Sequence, residues 1–549
     1  MKRIFILLFV LGTSVWLGGC DTAYKYDITD GIDNNGASEP DITIDTEGGI
    51  DVSMYEKARI FPGLVDTAKE ERINATIELD LNKQYIDSIT LGVSKVPQPI
   101  YSTGLYAGAG EQVAITVEDN TMGLSVIVGS HMDDLTELAP YQRMPLVYVA
   151  KALFPGKNII KNPLGGPIWI KKSLGLKASG TCSLKIEGVY KSPDFVIGET
   201  DLQDWKRRIS ETTVPWLEIR GKHFTFTVQK DRVLDNLESI SSTLQEVGKE
   251  WDEAIEEFFF KYYGLKIDKD AAEKERAPEF PIRVVLDVQV LGNLYLRNSD
   301  YAIVAINNTY MLEEMLNLRT LRIGNSVALL SAINSMCTYR SRNNPWPADY
   351  RAVANAIPLY RIGEKNFSKE NAFGEIFPGE ENITTLFPKA IEYAMADSSK
   401  WAKEDAATKY DDKTAYKAFD LLSLIQLANY DDNNWEAMKY LNLKAKEERS
   451  IDNSTLSYAF RRLCDYFKQN LCPFFDYWGV EQLDEDRKYA EQYPLMDKKI
   501  WEYNPLNPQQ VKDYDASSYC YRHSRRDWKV SAYDKGYGIN YDGDSRKPE

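Results

Sequence analysis

The sequence predicts an α+β fold, with an N-terminal β-rich, sandwich-like part followed by a mainly helical part. Between about residues 60 and 230, short β-branched runs such as 113–117 and 224–228 are bounded by Gly, Asn and Pro, as strands usually are. From residue 232 onward, apolar residues recur at three- and four-residue steps, which is typical of one helix face. Because strand patterns come first and helical patterns follow, the order favours α+β over a wound parallel sheet.

The first twenty residues are typical of a bacterial lipoprotein. Lys2 and Arg3 precede the apolar stretch 4–16, and Leu17-Gly-Gly-Cys20 places small residues before a cysteine. The apolar run is too short to span a bilayer stably, which predicts a cleaved signal peptide. Cys20 resembles the lipid-accepting cysteine of a lipobox, and several acyl chains together anchor a protein stably. We therefore expect a lipid bilayer partner and an extracytoplasmic location, at the outer membrane or cell surface.

Residues 21–50 are rich in Asp, Gly, Asn and Ser, which predicts a flexible tether. The predicted organisation is, in chain order, a signal peptide (1–19), a lipidated tether (20–55), the β-rich part (56–230), the helical part (231–480), a polar, Pro-containing linker (481–515) and a C-terminal segment (516–549).

Charge and composition exclude some classes of partner. The chain of 549 residues carries 66 basic and 82 acidic side chains, a formal net charge of −16. Such a surface repels the phosphates of nucleic acid, and the sequence offers no basic stripe to offset this. Beyond the signal peptide, no stretch reaches the ~20 apolar residues of a spanning helix. We expect no nucleic-acid partner.

Several local patterns, taken together, carry a resemblance to one family. They are Thr103–Glu111, Gly129–Asp133, Asn162–Ile170, Ser192–Phe195, Trp205, Pro215–Glu218, Arg283, Asp287–Gln289 and Asn470–Gly479. In this order, the chain resembles the enhancin-like, mucin-degrading zinc metallopeptidases (peptidase family M-sixty). The resemblance implies a gluzincin-like helical part, and a zinc site in the relatives that have the full motif.

The residues that such a zinc site needs are missing. A gluzincin uses H-E-x-x-H on a helix, because residues i and i+4 share a face and aim two imidazoles at zinc, with Glu as general base. This chain has no H-E-x-x-H. By the resemblance, the two ligand positions fall on Leu330 and Asn334, the general base on Ser331 and the third ligand on Arg351. Asn298 stands where the family often has a histidine.

These substitutions predict that zinc does not bind. Leucine has no lone pair to donate, and serine is not a base near neutral pH. A guanidinium ~4 Å from a dication costs roughly 8 kcal/mol even at an effective dielectric of 20. We therefore predict no catalytic residue, no metal site and no cofactor. The sequence also has no nucleophile elbow, P-loop or Rossmann glycine pattern.

The C-terminal segment 516–549 has a weaker resemblance. Residues 526–544 are similar to the first strand and the Asp-Gly-Asp turn of a discoidin-type carbohydrate-binding module. A module cut so short cannot close its sandwich core and is not expected to bind sugar. A chance match in a tail stays open as the alternative.

Three functions remain open. The first is a membrane-anchored lipoprotein whose peptidase-like domain binds host glycoprotein or mucin-type glycan without cleaving it, with Trp169, Trp205 and Trp216 as candidate ligand contacts. The second is an active glycoprotein-directed peptidase with an unorthodox centre, the one case in which zinc is expected. The third is a structural component of a surface lipoprotein complex.

Overall fold

The computed structural model describes most of residues 61–515. Within that range the residues left out are 118–120, 137–141, 177–178, 291–294, 298–303, 308–311, 323–326, 339–343, 367–382, 396–412, 431–434, 449–450, 479 and 481. The predicted signal peptide and tether with Cys20, the segment 516–549 and Asn298 lie outside the described residues.

Strands form where β-branched residues alternate with polar ones. In chain order they are β1 (Ile73–Asp80), β2 (Ile100–Ala107), β3 (Gln112–Val117), β4 (Leu124–Val128), β5 (Val149–Leu153), β6 (Gly156–Lys161), β7 (Gly166–Lys172), β8 (Thr181–Lys191), β9 (Phe195–Val196), β10 (Trp216–Arg220), β11 (Phe224–Gln229), β12 (Ile282–Asp287), β13 (Tyr295–Arg297) and β14 (Val304–Asn307). In β3, for example, Val113, Ile115 and Val117 are buried, while the residues between them are half-buried. This two-residue alternation places one face of the strand on a core.

The first eight strands form the predicted sandwich-like part. Their order is β5-β4-β7-β2-β8-β3-β6, with β1 paired to β8, and all these pairings are antiparallel. Apolar side chains from both ends of this order, such as Ile115 in β3 and Val126 in β4, share one core cluster. The sheet therefore closes over its own apolar face.

The remaining strands form a second, mixed sheet of order β13-β14-β12-β11-β10-β9. The strands β9 and β10 are parallel, as are β11 with β12 and β12 with β14. Strand β12 is buried at every residue, which is expected of a strand covered on both faces. Strand β13 is antiparallel to β14 at the edge.

Helices cover this second sheet and fill the rest of the chain. They are α1 (Ser88–Leu91), α2 (Leu202–Glu211), α3 (Lys230–Leu234), α4 (Leu237–Glu253), α5 (Leu312–Leu316), α6 (Leu318–Arg322), α7 (Val327–Cys337), α8 (Ala348–Asn366), α9 (Ile383–Met395), α10 (Lys413–Ala428), α11 (Glu436–Glu448), α12 (Ser457–Phe467), α13 (Cys472–Tyr477) and α14 (Asp484–Ala490). Helix α4 continues as a wider π-helical stretch, Ala254–Phe260. The α+β class and the order of strands before helices are confirmed.

Two predicted boundaries differ from the structure. The predicted β-rich part ended at residue 230, but β9 pairs with β10, β10 with β11 and β11 with β12, so these three strands belong to the second sheet. The sandwich ends with β8. The run 224–228 was assigned to the β-rich part, because periodicity does not reveal which sheet a strand joins.

The segment 481–515, predicted as a linker, packs against the helical part in the structure. Met496, Ile500 and Trp501 are buried in the main apolar core. Polar residues made the segment resemble a linker, but they are used internally: Asp486 accepts from Arg461 at 2.6 Å. Among the described residues, no helix is both long enough and apolar enough to cross a membrane.

Candidate functional site

Helix α7 carries three of the four positions predicted to correspond to the family's zinc site. Leu330, Ser331 and Asn334 lie within it. Leu330 is fully buried, together with Leu329 and Ile333, so this face of α7 belongs to the apolar core. The side chain of Ser331 lies outside what the structure describes.

Asn334 is engaged in hydrogen bonds to two other segments. Its Oδ1 accepts from the Tyr263 hydroxyl at 3.0 Å, and its Nδ2 donates to the carbonyl of Asn355 in α8. Only 6% of the residue is exposed. The carboxamide is therefore used to hold α7 against α8 and the chain that follows α4, as buried polar groups generally must be.

Arg351, the fourth position, lies in the first turn of α8. It precedes Asn355 by four residues, which is about one helical turn, so it lies on the part of α8 that faces α7. Its Nη2 lies 3.5 Å from the carbonyl oxygen of Trp346, and its Nε has no hydrogen-bond partner among the described residues. A positive charge thus stands at the position predicted for the third ligand.

These residues do not fit a zinc ion. Zinc takes donors from Cys, His, Asp or Glu. The predicted ligand positions hold instead the buried Leu330, the hydrogen-bonded carboxamide of Asn334 and the guanidinium of Arg351. Within the described residues there is also no group of three or more His, Cys, Asp and Glu side chains that could hold a metal. No zinc-dependent step is derived for this chain.

The sequence motifs that carry the resemblance meet at the junction of the two sheets. His131 places Nε2 2.8 Å from the carbonyl oxygen of Leu286 in β12 and Nδ1 3.1 Å from the Ser130 hydroxyl. Burial lowers the pKa of His131 to about 4. The neutral ring therefore donates to Leu286 and accepts from Ser130, which gives it a structural role rather than that of a metal ligand.

A buried ion pair lies beside this histidine. Arg143 and Asp287 form a two-pronged contact, with Nε–Oδ1 and Nη2–Oδ2 distances of 2.9 Å, and neither side chain is exposed. The Gln142 amide also donates to the Gln289 side chain at 2.8 Å. The motif at 287–289 therefore ties the second sheet to the chain between β4 and β5.

A second buried network holds the same junction. Arg283 donates to Glu218 Oε1 at 3.0 Å, to the Ile100 carbonyl at 3.0 Å and to the Ser102 hydroxyl at 2.9 Å. Its guanidinium lies 4.4 Å from the ring centre of Trp169. Because Ile100 and Ser102 lie in β2, this arginine links the sandwich to the second sheet.

Two glycines of the motifs are required by close backbone approach. Gly129 has φ +108°, and a Cβ there would lie 2.7 Å from the Val147 carbonyl oxygen. Gly166 has φ +137°, and its Cβ would lie 2.7 Å from the Gly129 Cα. Any side chain would strain both positions, so these motif residues fix the shape of the sandwich rather than a reaction centre.

The three candidate tryptophans lie in the core. Trp169, Trp205 and Trp216 are fully buried. Their indole N–H groups donate internally, to Glu218 at 2.8 Å, the Pro193 carbonyl at 2.8 Å and the Pro62 carbonyl at 2.7 Å. Burial argues against their direct contact with a ligand.

A cavity that sequence reasoning missed lies elsewhere, between α4 and the segment of α5 and α6. Its volume is about 640 Å³. Its lining comes from two stretches about seventy residues apart in sequence, and no periodic pattern marks it, so nothing in the sequence could have placed it.

Two family comparisons cover adjoining parts of the chain. Residues 71–186 match the N-terminal domain of M60-like peptidases, and residues 188–322 match the family described as Peptidase M60, enhancin and enhancin-like. The border between them falls within β8. The second match ends shortly before α7, the helix on which the predicted ligand positions fall.

The curated relatives include channel-associated proteins. Human TRPM8 channel-associated factor 2 is 27% identical over 195 residues, 34% of this chain and 19% of that protein. Mouse TRPM8 channel-associated factor 3 is 24% identical over 425 residues, 74% of this chain and 40% of that protein. The chain thus spans less than half the length of these relatives.

Solved structures share the fold. The ZmpB metallopeptidase from Clostridium perfringens matches with a TM-score of 0.58 and 16% identity, over 79% of this chain and 84% of that one. The M60 catalytic domain of Clostridium perfringens ZmpC, in complex with the sialyl T antigen, matches with a TM-score of 0.56 and 16% identity, over 79% and 82%. The two family matches lead to one conclusion: residues 71–322 carry the N-terminal domain of M60-like peptidases and an enhancin-like Peptidase M60 domain, and the solved structures share the fold over most of the chain.

Proposed function

We propose that this protein is a lipid-anchored, extracytoplasmic family member that binds glycoprotein or mucin-type glycan without cleaving it. The observation that carries the proposal is the contrast between a preserved frame and replaced ligands. The motif residues His131, Arg283 and Asp287 are buried and paired, Asp287 with Arg143, whereas the predicted zinc positions hold residues unsuited to zinc.

The buried networks that join the two sheets do not depend on the residues at the predicted zinc positions. Buried networks such as Arg283 with Glu218 keep the sandwich on the second sheet whether or not a metal is bound. Loss of the ligands therefore removes hydrolysis and leaves the surfaces that recognise a substrate. Binding without turnover is the function that such a molecule supports best.

Relatives supply the class of ligand. The ZmpC catalytic domain has been solved with the sialyl T antigen, and another metallopeptidase of this fold, with a TM-score of 0.54, with the Tn antigen. These glycans belong to those proteins. For this chain they define the panel to test first.

The decisive experiment measures binding and cleavage on the same samples. The purified protein is titrated by calorimetry with mucin-type glycopeptides and with the same peptides without glycan, and each mixture is then analysed by mass spectrometry, with and without added zinc. We expect glycan-dependent heat and intact peptides. Chelator-sensitive cleavage would contradict the proposal, and so would the absence of binding across the panel.

Membrane anchoring is tested separately through Cys20. We expect the wild-type protein to fractionate with membranes and to incorporate labelled fatty acid. Cys20→Ala removes the thiol that accepts the lipid, so this variant is expected to lose the label and leave the washed membrane fraction. A variant that stays labelled and membrane-bound would refute lipidation at Cys20.

A second candidate is a structural component of a membrane complex. The observation that favours it is the naming of the curated relatives, which are called channel-associated factors. Crosslinking in cells followed by purification separates the two: a stoichiometric protein partner together with no glycopeptide binding would favour this candidate.

A further inference from the structure

The cavity between α4 and the α5–α6 segment is separate from the lost zinc positions. Its lining residues are Asn236, Ser239, Ile240, Ser242, Thr243, Leu312, Leu316, Asn317, Leu318, Arg319 and Arg322. None of the positions Leu330, Ser331, Asn334 and Arg351 is among them. Its volume of about 640 Å³ lies within the range of roughly 300–1,000 Å³ found for small-molecule sites.

The lining combines an apolar floor with a polar rim. Ile240, Leu312 and Leu316 are buried, whereas the rim residues Ser239 and Ser242 are exposed. A pyranose ring presents C–H groups on its faces and hydroxyls around its edge. The apolar floor suits the ring face, and the hydroxyl and carboxamide groups of the rim suit the sugar hydroxyls.

The two arginines of the lining differ in their electrostatic state. Arg322 contacts Glu246 and Glu250, with Nη2–Oε1 distances of 2.5 and 3.0 Å, so its charge is compensated. Arg319 is exposed and makes no ion pair within the described part of the chain. The lining therefore presents one cation whose charge no described carboxylate offsets.

The start of α4 adds to this positive character. Asn236, the residue before the helix, makes no side-chain cap to the first turn of this seventeen-residue helix. Uncapped first-turn N–H groups form the positive end of the helix dipole and favour anions. The first turn also carries Glu238, which pairs with Lys206 at 2.6 Å, so the positive charge of the site is assigned to Arg319.

We propose that this cavity binds an anionic saccharide unit whose carboxylate pairs with Arg319 and whose ring packs on Ile240, Leu312 and Leu316. The inference rests on the proposed glycan-binding function and adds the charge class of the sugar and the place where it binds. The rim residues Ser239 and Ser242 are the candidate partners of its hydroxyls.

Glucuronic acid and glucose form a matched pair of probes, because they differ only in the oxidation state of C6. Both are titrated into the full-length protein, and binding is followed by ligand-observed NMR. We expect glucuronate to bind at least about fivefold more tightly than glucose, and its advantage to shrink as salt is raised.

Two variants test whether the sugars bind in the cavity, and a third serves as the control. Arg319→Gln is expected to weaken glucuronate binding about five- to tenfold and to leave weak glucose binding unchanged. Ser242→Trp places a bulky ring at the exposed rim and is expected to abolish binding of both sugars. Lys269→Gln removes one exposed positive charge outside the cavity and is the matched control, expected to bind as wild type. Circular dichroism verifies that each variant is folded.

The outcomes separate this inference from the proposed function. Equal binding of the two sugars, or glucuronate binding that survives both Arg319→Gln and Ser242→Trp, would overturn the cavity assignment. If glycopeptides still bound in that case, the proposed function would stand. The protein could instead bind glucuronate in the cavity but bind no glycopeptide. That result would support the cavity as an anionic-saccharide site and refute the proposed function.

Discussion

Polar side chains that carry the sequence resemblance are buried and paired with one another. Arg283 alone donates to a side chain and a carbonyl of β2 and to Glu218 of β10. Removing one partner of such a network leaves an unpaired buried charge, which typically costs about 3–5 kcal/mol. These residues can therefore be retained for stability alone after the catalytic centre is lost.

His131 is expected to make the protein acid-sensitive. Burial lowers its pKa to about 4, while an unfolded histidine has a pKa of about 6.5. The stability that the neutral ring contributes is thus present above pH 6.5 and is lost as the pH falls toward 4, at up to about 1.4 kcal/mol per unit. Denaturant unfolding at pH 7 and pH 4.5 measures the loss.

The variant His131→Gln keeps a donor for the Leu286 carbonyl but does not titrate. Its stability is expected to fall less than that of wild type over the same pH interval. Equal losses in both proteins would show that other groups cause the acid sensitivity.

Lys446 is expected to destabilise the fold at neutral pH. The residue is 4% exposed, its ammonium lies 3.4 Å from the Gly264 carbonyl oxygen, and burial lowers its pKa to about 7. Because the unfolded chain binds the proton more tightly, stability rises with pH between 7 and about 10.5. Lys446→Met is expected to raise the free energy of unfolding at pH 7 by roughly 2 kcal/mol.

That gain should fall steadily above pH 7 and disappear above about pH 11.5, where the lysine is neutral in both states. The exposed Lys249→Met variant on α4 is the control and should change stability by less than about 0.5 kcal/mol. A destabilised Lys446→Met protein at pH 7 would contradict the account.

At the scale of elements, α7, the helix predicted to correspond to the catalytic one, is a core helix. Leu329, Leu330 and Ile333 are fully buried, and Asn334 joins α7 to α8. An apolar face and one polar link are enough to hold the helix. The chemistry of the family is thus not needed for the element to form.

If the four positions are assigned correctly, restoring them should create a zinc site. The variant Leu330→His, Ser331→Glu, Asn334→His and Arg351→Glu rebuilds H-E-x-x-H with a third carboxylate ligand. We expect approximately one zinc ion per chain, measured by chelator competition. Because His at position 330 buries a polar ring, we expect the free energy of unfolding without metal to fall by about 2–4 kcal/mol.

The triple variant that retains Arg351 is the matched control. The guanidinium opposes the metal, so this variant should bind zinc much more weakly. A folded quadruple variant that binds no more zinc than wild type would show that the positions are misplaced.

At the scale of the whole molecule, residues 481–515 complete the core of the helical part. Trp501 is 1% exposed and stacks on Tyr477, with ring centres 4.0 Å apart and planes at 10°. Its carbonyl accepts from Gln426 Nε2 at 3.1 Å, and Gln426 in turn accepts from Trp478 at 2.9 Å. The segment is therefore tied to α10 and to the chain that follows α13.

Trp501→Ala is expected to lower the free energy of unfolding by about 3–5 kcal/mol, because it leaves a large cavity in the core. Lys498→Ala, three residues earlier and exposed, should change it by less than about 0.5 kcal/mol. Denaturant midpoints compare the two. If Trp501→Ala were as mild as the control, the segment would be a linker after all.

The sequence predicted most of the elements and less of their arrangement. The mainly helical part expected after residue 231 is present, for example as α10 and α11, because its apolar residues recur at helical steps. The buried polar motifs were recognised by resemblance, but not the pairing of His131 with Leu286, since 155 residues separate them.

By itself, the sequence determined the α+β class, the family and the absence of H-E-x-x-H, because residue types and local periodicity carry that information. Only the tertiary structure decided the border after β8, the packing of residues 481–515, the burial of the three tryptophans and the cavity beside α4. Each of these depends on which distant segments meet. Such contacts are fixed by the burial of whole surfaces, and no local pattern records them.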